Sequence, residues 1–241
     1  YKPFIFLTAR KSSTMKTGII GLGKMGGALL RGMLKAGAVS PEEVWVYDHH
    51  HENVQALQQE YPGVHEAATE ADAADAVEAL ILAVKPHGVL SLISSLSERG
   101  EELPLLISIA AAISLDDMEA CASDGTRIVR AMPNTPALIG AGMAGVSYEE
   151  TLFTQEEKDT IQSFFESIGK MVVVPEHMMN VVTCASSSAP AYIFMFIEAL
   201  ADSAVKYGMP REMAYRTIAQ AVKGSAELVL ETGEHPGKLK D

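Results

Sequence analysis

Gly18-Ile19-Ile20-Gly21-Leu22-Gly23-Lys24-Met25-Gly26-Gly27, followed by the amphipathic stretch Ala28–Ala36, decides the fold. An apolar strand runs into a glycine turn, and a helix runs out of it. The turn has the pattern G-x-G-x-x-G. Gly21 permits the tight bend, Gly23 lets backbone approach a pyrophosphate, and Gly26 lets the helix pack on the strand. The helix N-terminus then offers free N–H groups to phosphates. A second strand, Val44–Asp48, ends on an acid at about the 20-residue spacing expected of a ribose-binding carboxylate. An ordinary glycine-rich βα turn would have the same glycines, but the strand, helix and acid together point to a dinucleotide site.

The alternation continues outward from this unit. Ser40-Pro41-Glu42-Glu43 reads as a capped helical start. A helix containing Val54 and Leu57 closes at Pro62-Gly63. The runs Ala79–Val84 and Leu105–Ala110 are continuously apolar, as in strands buried on both faces. Arg127–Arg130 leads into Ala131-Met132-Pro133-Asn134-Thr135-Pro136. Met143–Tyr148 and Met171–Val174 are further strands. Between them, a helix over Gln155–Ile168 is capped by Thr154 and stopped by Gly169. The acidic stretch Glu66–Glu78 reads as a solvated helix. Repeated βα units imply a mostly parallel sheet covered by helices.

From Glu176 no more strands are expected. Helices are predicted over about His177–Lys206 and Arg211–Glu231, with Gly208 and Pro210 between them. Pro190 predicts a kink or break near Ala189. Tyr192-Ile193-Phe194-Met195-Phe196-Ile197 and Leu200 make the first helix apolar around much of its circumference, and such a helix must be covered. Packing on the first domain would do this. A helix-mediated homodimer is the favoured reading, because two such helices lack enough partners within the chain. The division expected is 1–14 as an extension before Met15, 15–175 as the dinucleotide domain and 176–241 as the helical domain.

Composition excludes some partners. The 241 residues have a net charge of −12, and 48% are hydrophobic. An acidic protein is poorly suited to nucleic acid. No contiguous apolar run approaches the roughly 18 residues of a membrane span. Cys121 and Cys184 are far apart, in no ligand pattern, and fit reduced thiols of a cytoplasmic protein. No metal site is expected.

In a doubly wound sheet, ligands bind beyond the carboxyl ends of the strands. That rule selects Asp48, Lys85, and the loops after Ile20, Ala110 and Arg130. Asp48 favours NADH over NADPH, since a 2′-phosphate would meet a like charge. His49, His50 and His51 read first as a solvated loop. Protonated, one of them would accept a phosphate. Lys85 is either a cofactor contact or an ordinary strand-end lysine. Asn134 and Thr135, between two prolines, would bind a carboxamide or orient a substrate, or simply shape the turn. No His–Asp relay stands out, and residues 171–205 contain no lysine of the kind a β-hydroxyacid dehydrogenase uses. A protonated imine needs neither, because it accepts hydride directly.

These segments resemble the pyrroline-5-carboxylate reductase family. The resemblance covers Met15–Asp241. It rests on the glycine turn, Ala83-Val84-Lys85-Pro86-His87, Ser108-Ile109-Ala110-Ala111, Met132-Pro133-Asn134-Thr135-Pro136, Ala189-Pro190-Ala191-Tyr192 and His235-Pro236-Gly237-Lys238-Leu239-Lys240-Asp241. It implies reduction of 1-pyrroline-5-carboxylate to L-proline with NADPH or NADH. It also implies an α/β fold: a Rossmann domain followed by an all-α domain that joins two subunits and builds larger rings. The cofactor would contact Ile20, Gly21, Leu22, Gly23, Lys24, Met25, Asp48, Ala83, Val84, Lys85, Pro86, Ile109, Ala110 and Ala111. Asn134, Thr135 and Ser188 would lie near nicotinamide and substrate, with no proton donor assigned.

The chain departs from the family at four places. Ala112 replaces a glycine, Ser187 and Ala189 stand in a serine–glycine segment, and Glu70 replaces an asparagine near the adenosine ribose. The chain also ends before the family's Ser-Pro-Gly-Gly-Thr-Thr substrate loop, so a longer natural protein is expected. Two alternative readings stand beside it: a β-hydroxyacid or imine dehydrogenase, and a reductase-like regulator that binds dinucleotide without turnover.

Overall fold

The computed structural model describes residues 15–241, so the extension over 1–14 lies outside the described residues. The chain divides into two compact units, Ser187 closing the first and Ser188 opening the second. In the first unit the elements run β1 (Thr17–Ile20), α1 (Lys24–Lys35), β2 (Val44–Tyr47), α2 (His51–Glu60), β3 (His65–Glu66), α3 (Glu70–Asp75), β4 (Ala79–Leu82) and α4 (Pro86–Ser97). They continue through β5 (Leu105–Ser108), α5 (Leu115–Glu119), β6 (Ile128–Met132), β7 (Gly142–Ser147), α6 (Gln155–Glu166), β8 (Gly169–Val173) and α7 (Met179–Val182).

The eight strands form one sheet in the order β3-β2-β1-β4-β5-β6-β7-β8. All pairs are parallel except β6 with β7. Strand alternation divides the core into two layers. Ile19, Ile81, Ile107 and Val129 face Leu29, Leu30 and Met33 of α1 and Phe164 and Phe165 of α6. Ile20, Leu80, Leu82 and Leu106 face the other way, toward Val89 and Ile93 of α4 and Met118 of α5. Burial on both faces explains why these strands read as unbroken apolar runs. The reversal of strand order at β1, between β2 and β4, opens the crevice where such sheets bind ligands.

In the second unit, α8 (Ala189–Lys206) and α9 (Arg211–Thr232) pack on each other, and α10 (Pro236–Lys240) follows. Tyr192, Phe194, Met195 and Phe196 of α8 and Leu230 of α9 are more than half exposed.

Several details correct the sequence reading. Residues 66–78 are not one solvated helix. His65–Glu66 form an edge strand, and α3 buries Ala73 and Ala74. A two-residue edge strand with both side chains exposed leaves no alternation to read. The break expected near Ala189 is present, and the segment before it is less regular than a single helix: a 3-10 turn (Glu176–Met178), α7 and a π-helical turn (Thr183–Ser187) precede α8. Pro190 occupies the first turn of α8, where its missing N–H costs nothing. Pro86 does not only end a strand; it opens α4. The stretch Glu176–Lys206 is long and apolar enough, by length and composition, to cross a membrane. Counting unbroken apolar residues missed it, because small and polar residues are dispersed through an otherwise apolar segment.

Candidate active site

The carboxyl ends of β1, β2, β4, β5 and β6 emerge on one edge. Their registers align Ile20 with Tyr47 and Leu82, Leu82 with Ser108, and Ser108 with Arg130. The ladder extends into the loops: Gly21 N–H donates to the Tyr47 carbonyl (2.8 Å), Ala83 N–H to Ile20 (2.9 Å) and Ile109 N–H to Leu82 (3.2 Å). The loops expected to hold the cofactor are thus held side by side by backbone bonds.

The glycine turn has the geometry its sequence implies. Gly21 sits at φ +100°, and a Cβ there would stand 2.6 Å from the Ala83 carbonyl oxygen. A Cβ on Gly26 would lie 2.2 Å from the Gly21 oxygen and 2.7 Å from the Ala83 side chain. A Cβ on Gly23, by contrast, would have nothing within 4 Å. Gly23 therefore faces open space at the start of α1, whose N-terminus has no side-chain cap. Uncapped helix donors beside a bare glycine fit a pyrophosphate.

Asp48 is partly buried and does two things at once. Its Oδ2 accepts the Leu22 N–H at 2.5 Å, which fixes the glycine turn to the end of β2. Its Oδ1 accepts the His50 N–H at 2.7 Å and the Asn53 amide at 3.3 Å. A carboxylate held this way is fixed between the glycine turn and the start of α2. The three histidines that follow are exposed, and each faces a carboxylate: His49 to Glu70 (3.7 Å), His50 to Glu52 (3.6 Å) and His51 to Glu66 (2.5 Å). Among the described residues, no group of His, Cys, Asp and Glu has a metal-binding arrangement.

Lys85 occupies the position before α4 without a side-chain capping bond and is exposed. Ile109 and Ala111 are half-buried beside buried Ala110. Ala112 has φ +63°, the left-handed region, and is the non-glycine residue found there among the described residues. That conformation costs an L-residue about 1–2 kcal/mol. Ala112→Gly is therefore expected to stabilise the fold by about 0.5–1 kcal/mol, after glycine's greater chain entropy is subtracted. Urea unfolding of the two proteins measures this, and an unchanged midpoint contradicts it.

Asn134 is buried, with both ends of its amide engaged. Nδ2 donates to the Ser186 carbonyl (3.2 Å), with the Ser186 hydroxyl at 3.4 Å, and Oδ1 accepts the Met143 N–H (2.9 Å). It ties the 3-10 turn Thr135–Ile139 to β7 and to the π-helical turn. Thr135, beside it, is exposed. Ser187, also in the π turn, has a buried hydroxyl without a partner. Ser188 belongs to the second unit, where it precedes α8. Turn formation and positioning, the plainer reading of Asn134, describe its contacts.

One feature near this edge had no sequence signal. Arg130 of β6 donates to Glu176 Oε1 (2.6 Å), which also accepts the Leu115 N–H at 3.1 Å. The pair joins the sheet, the start of α5 and the segment leading to the π turn. Residues 46 apart in sequence carry no local pattern that would reveal it.

Comparison with known proteins gives this edge its context. A family model described as pyrroline-5-carboxylate reductase dimerisation matches residues 176–241. One described as NADP oxidoreductase, coenzyme F420-dependent, matches 16–112. The pyrroline-5-carboxylate reductase of Escherichia coli is 43% identical over 94% of the chain and 83% of its own length. A pyrroline-5-carboxylate reductase structure from Coxiella burnetii superposes with a TM-score of 0.86 at 30% identity, over 94% of this chain and 84% of that one. A Plasmodium falciparum pyrroline carboxylate reductase structure with NADP bound gives 0.84 at 28% identity, over 96% and 84%. With this identity over most of both chains, and with the glycine turn and strand-end loops in place, the chain belongs to the pyrroline-5-carboxylate reductase family.

Proposed function

We propose that this protein reduces 1-pyrroline-5-carboxylate to L-proline with a nicotinamide dinucleotide. The observation that carries the reading is the edge where the open glycine turn, Asp48 and the loops after β4, β5 and β6 converge. The N–H groups at the start of α1, with Ile20–Met25, hold the pyrophosphate. Asp48 accepts the ribose hydroxyls while anchoring Leu22. Ala83–Pro86 and Ile109–Ala111, after β4 and β5, line the floor on one side of the strand-order reversal, opposite Asp48 at the end of β2. Asn134 positions the turn that presents Thr135, and Ser188 is a substrate candidate by the family resemblance.

The reduced nicotinamide, when bound, supplies hydride to the imine carbon. The chain's part is orientation and exclusion of water, with the reacting atoms brought to about 3–3.5 Å. A protonated imine already has the positive charge that makes its carbon electrophilic, so no relay need create it. We assign a preference for NADH, because Asp48 lies where a 2′-phosphate would otherwise approach. Residues 15–175 form the cofactor domain and 176–241 the assembly and substrate domain.

The exposed apolar side chains of α8 and α9 make a homodimer face, and covering them on a second copy removes the apolar area from water. The matched dimerisation model supports this. Larger rings are the further assembly that the resemblance implies. The free thiols Cys121 and Cys184 support a cytoplasmic setting, and the net charge of −12 argues against nucleic acid as a partner. Steady-state oxidation of NADH and NADPH, followed by absorbance, tests the activity. Oxidation that requires added pyrroline-5-carboxylate supports the reading; none with either cofactor overturns it.

A further inference from the structure

The adenosine end of the cofactor site contains a feature that the glycine turn does not explain. Asp48 marks the ribose position, because it follows β2 and is tied to Leu22 of the turn. The next residue, His49, is the cation-capable side chain closest in sequence to that acid. Its ring is bracketed. The Tyr47 hydroxyl lies 3.3 Å from Nδ1, and Glu70 Oε1 lies 3.7 Å from Nε2. Glu70 opens α3, which follows β3 and so starts on the same carboxyl edge as Asp48. His50 and His51 are likewise turned to carboxylates, Glu52 and Glu66. Each group able to neutralise a phosphate in this loop already faces an acid.

We infer that Glu70 is a specificity-determining residue that directs the protein to NADH by holding His49 and by placing a second carboxylate, after Asp48, beside the ribose 2′ position. Glu70 acts in two ways that add. Its charge repels a 2′-phosphate, and its contact with Nε2 withdraws the donor that such a phosphate would need. A 2′-hydroxyl has no charge to repel and accepts Asp48 as its partner, so NADH is unaffected. The inference rests on the dinucleotide site proposed above.

The test measures kcat/KM for NADPH and NADH, together with the dissociation constants of both, in the wild type, Glu70→Gln, Glu70→Gln/His49→Ala and Glu60→Gln. Glu60 pairs with Arg31 at the far end of α2, and its replacement removes the same charge at a distance. Glu70→Gln is expected to raise the NADPH-to-NADH ratio at least fivefold. Adding His49→Ala should remove part of that gain, and Glu60→Gln should change the ratio less than twofold. A ratio within twofold of wild type in Glu70→Gln, or an equal rise in Glu60→Gln, overturns the inference. Should neither cofactor be oxidised by the wild type, the proposed activity fails, while the ratio of dissociation constants still decides the role of Glu70.

Discussion

Gly26→Ala is expected to cripple the protein in both stability and cofactor use. The added methyl would lie 2.2 Å from a backbone oxygen, and neither partner is a flexible side-chain end: one is the Gly21 carbonyl, the other the Cβ of Ala83. The turn and α1 must separate to admit it. Overpacking of this kind costs about 1–3 kcal/mol. Because the same displacement moves the α1 donors away from the pyrophosphate, kcat/KM for the dinucleotide should fall on the order of a hundredfold. Gly23→Ala separates the two effects. Its methyl meets nothing within 4 Å, so the unfolding midpoint should hold while dinucleotide binding weakens. Parallel thermal unfolding and cofactor titration of both variants check this. Tight cofactor binding by Gly26→Ala, or a large loss of stability in Gly23→Ala, would contradict the assignment of the turn.

Arg130→Met should produce the second large effect. The Arg130 side chain is 9% exposed and that of Glu176 32%. Glu176 Oε2 is already buried without a partner. Removing the guanidinium leaves a carboxylate shielded from water with the Leu115 N–H as its remaining donor. Breaking a buried pair costs about 3–5 kcal/mol, and the partial exposure of Glu176 places this case at about 2–3 kcal/mol. In a chain of this size that corresponds to a fall in Tm of about 2–4 °C per kcal/mol. Calorimetry on Arg130→Met and Arg130→Met/Glu176→Met distinguishes the causes. The double variant should recover most of the loss, since it removes the stranded charge. No recovery would mean that Arg130 acts through packing alone.

The sheet was readable because its central strands are buried on both faces and have no polar interruption, as Leu80-Ile81-Leu82 and Leu105-Leu106-Ile107 show. The glycine turn was readable because each glycine answers a separate steric demand. β3 was not, since two exposed edge residues obey no pattern. The π turn over Thr183–Ser187 was also invisible, because the side chain that braces it at Ser186 is Asn134, far away in sequence. The contacts of the Asn134 amide with Ser186 and Met143, 52 and 9 residues away in sequence, were equally hidden, while the choice between ligand contact and turn shaping was open from its place between two prolines. Ala112 and Glu70 stood out only as departures from the family pattern. The structure adds the left-handed backbone of the first and the His49 contact of the second.

Hydride transfer from the dinucleotide to the imine carbon is the claim on which the rest depends. Mass spectrometry of proline formed from pyrroline-5-carboxylate and NADH deuterated at nicotinamide C4 tests it directly. The transferable position must carry the label. The account predicts proline with one deuterium at ring carbon 5. Unlabelled proline, or no proline at all, would contradict it.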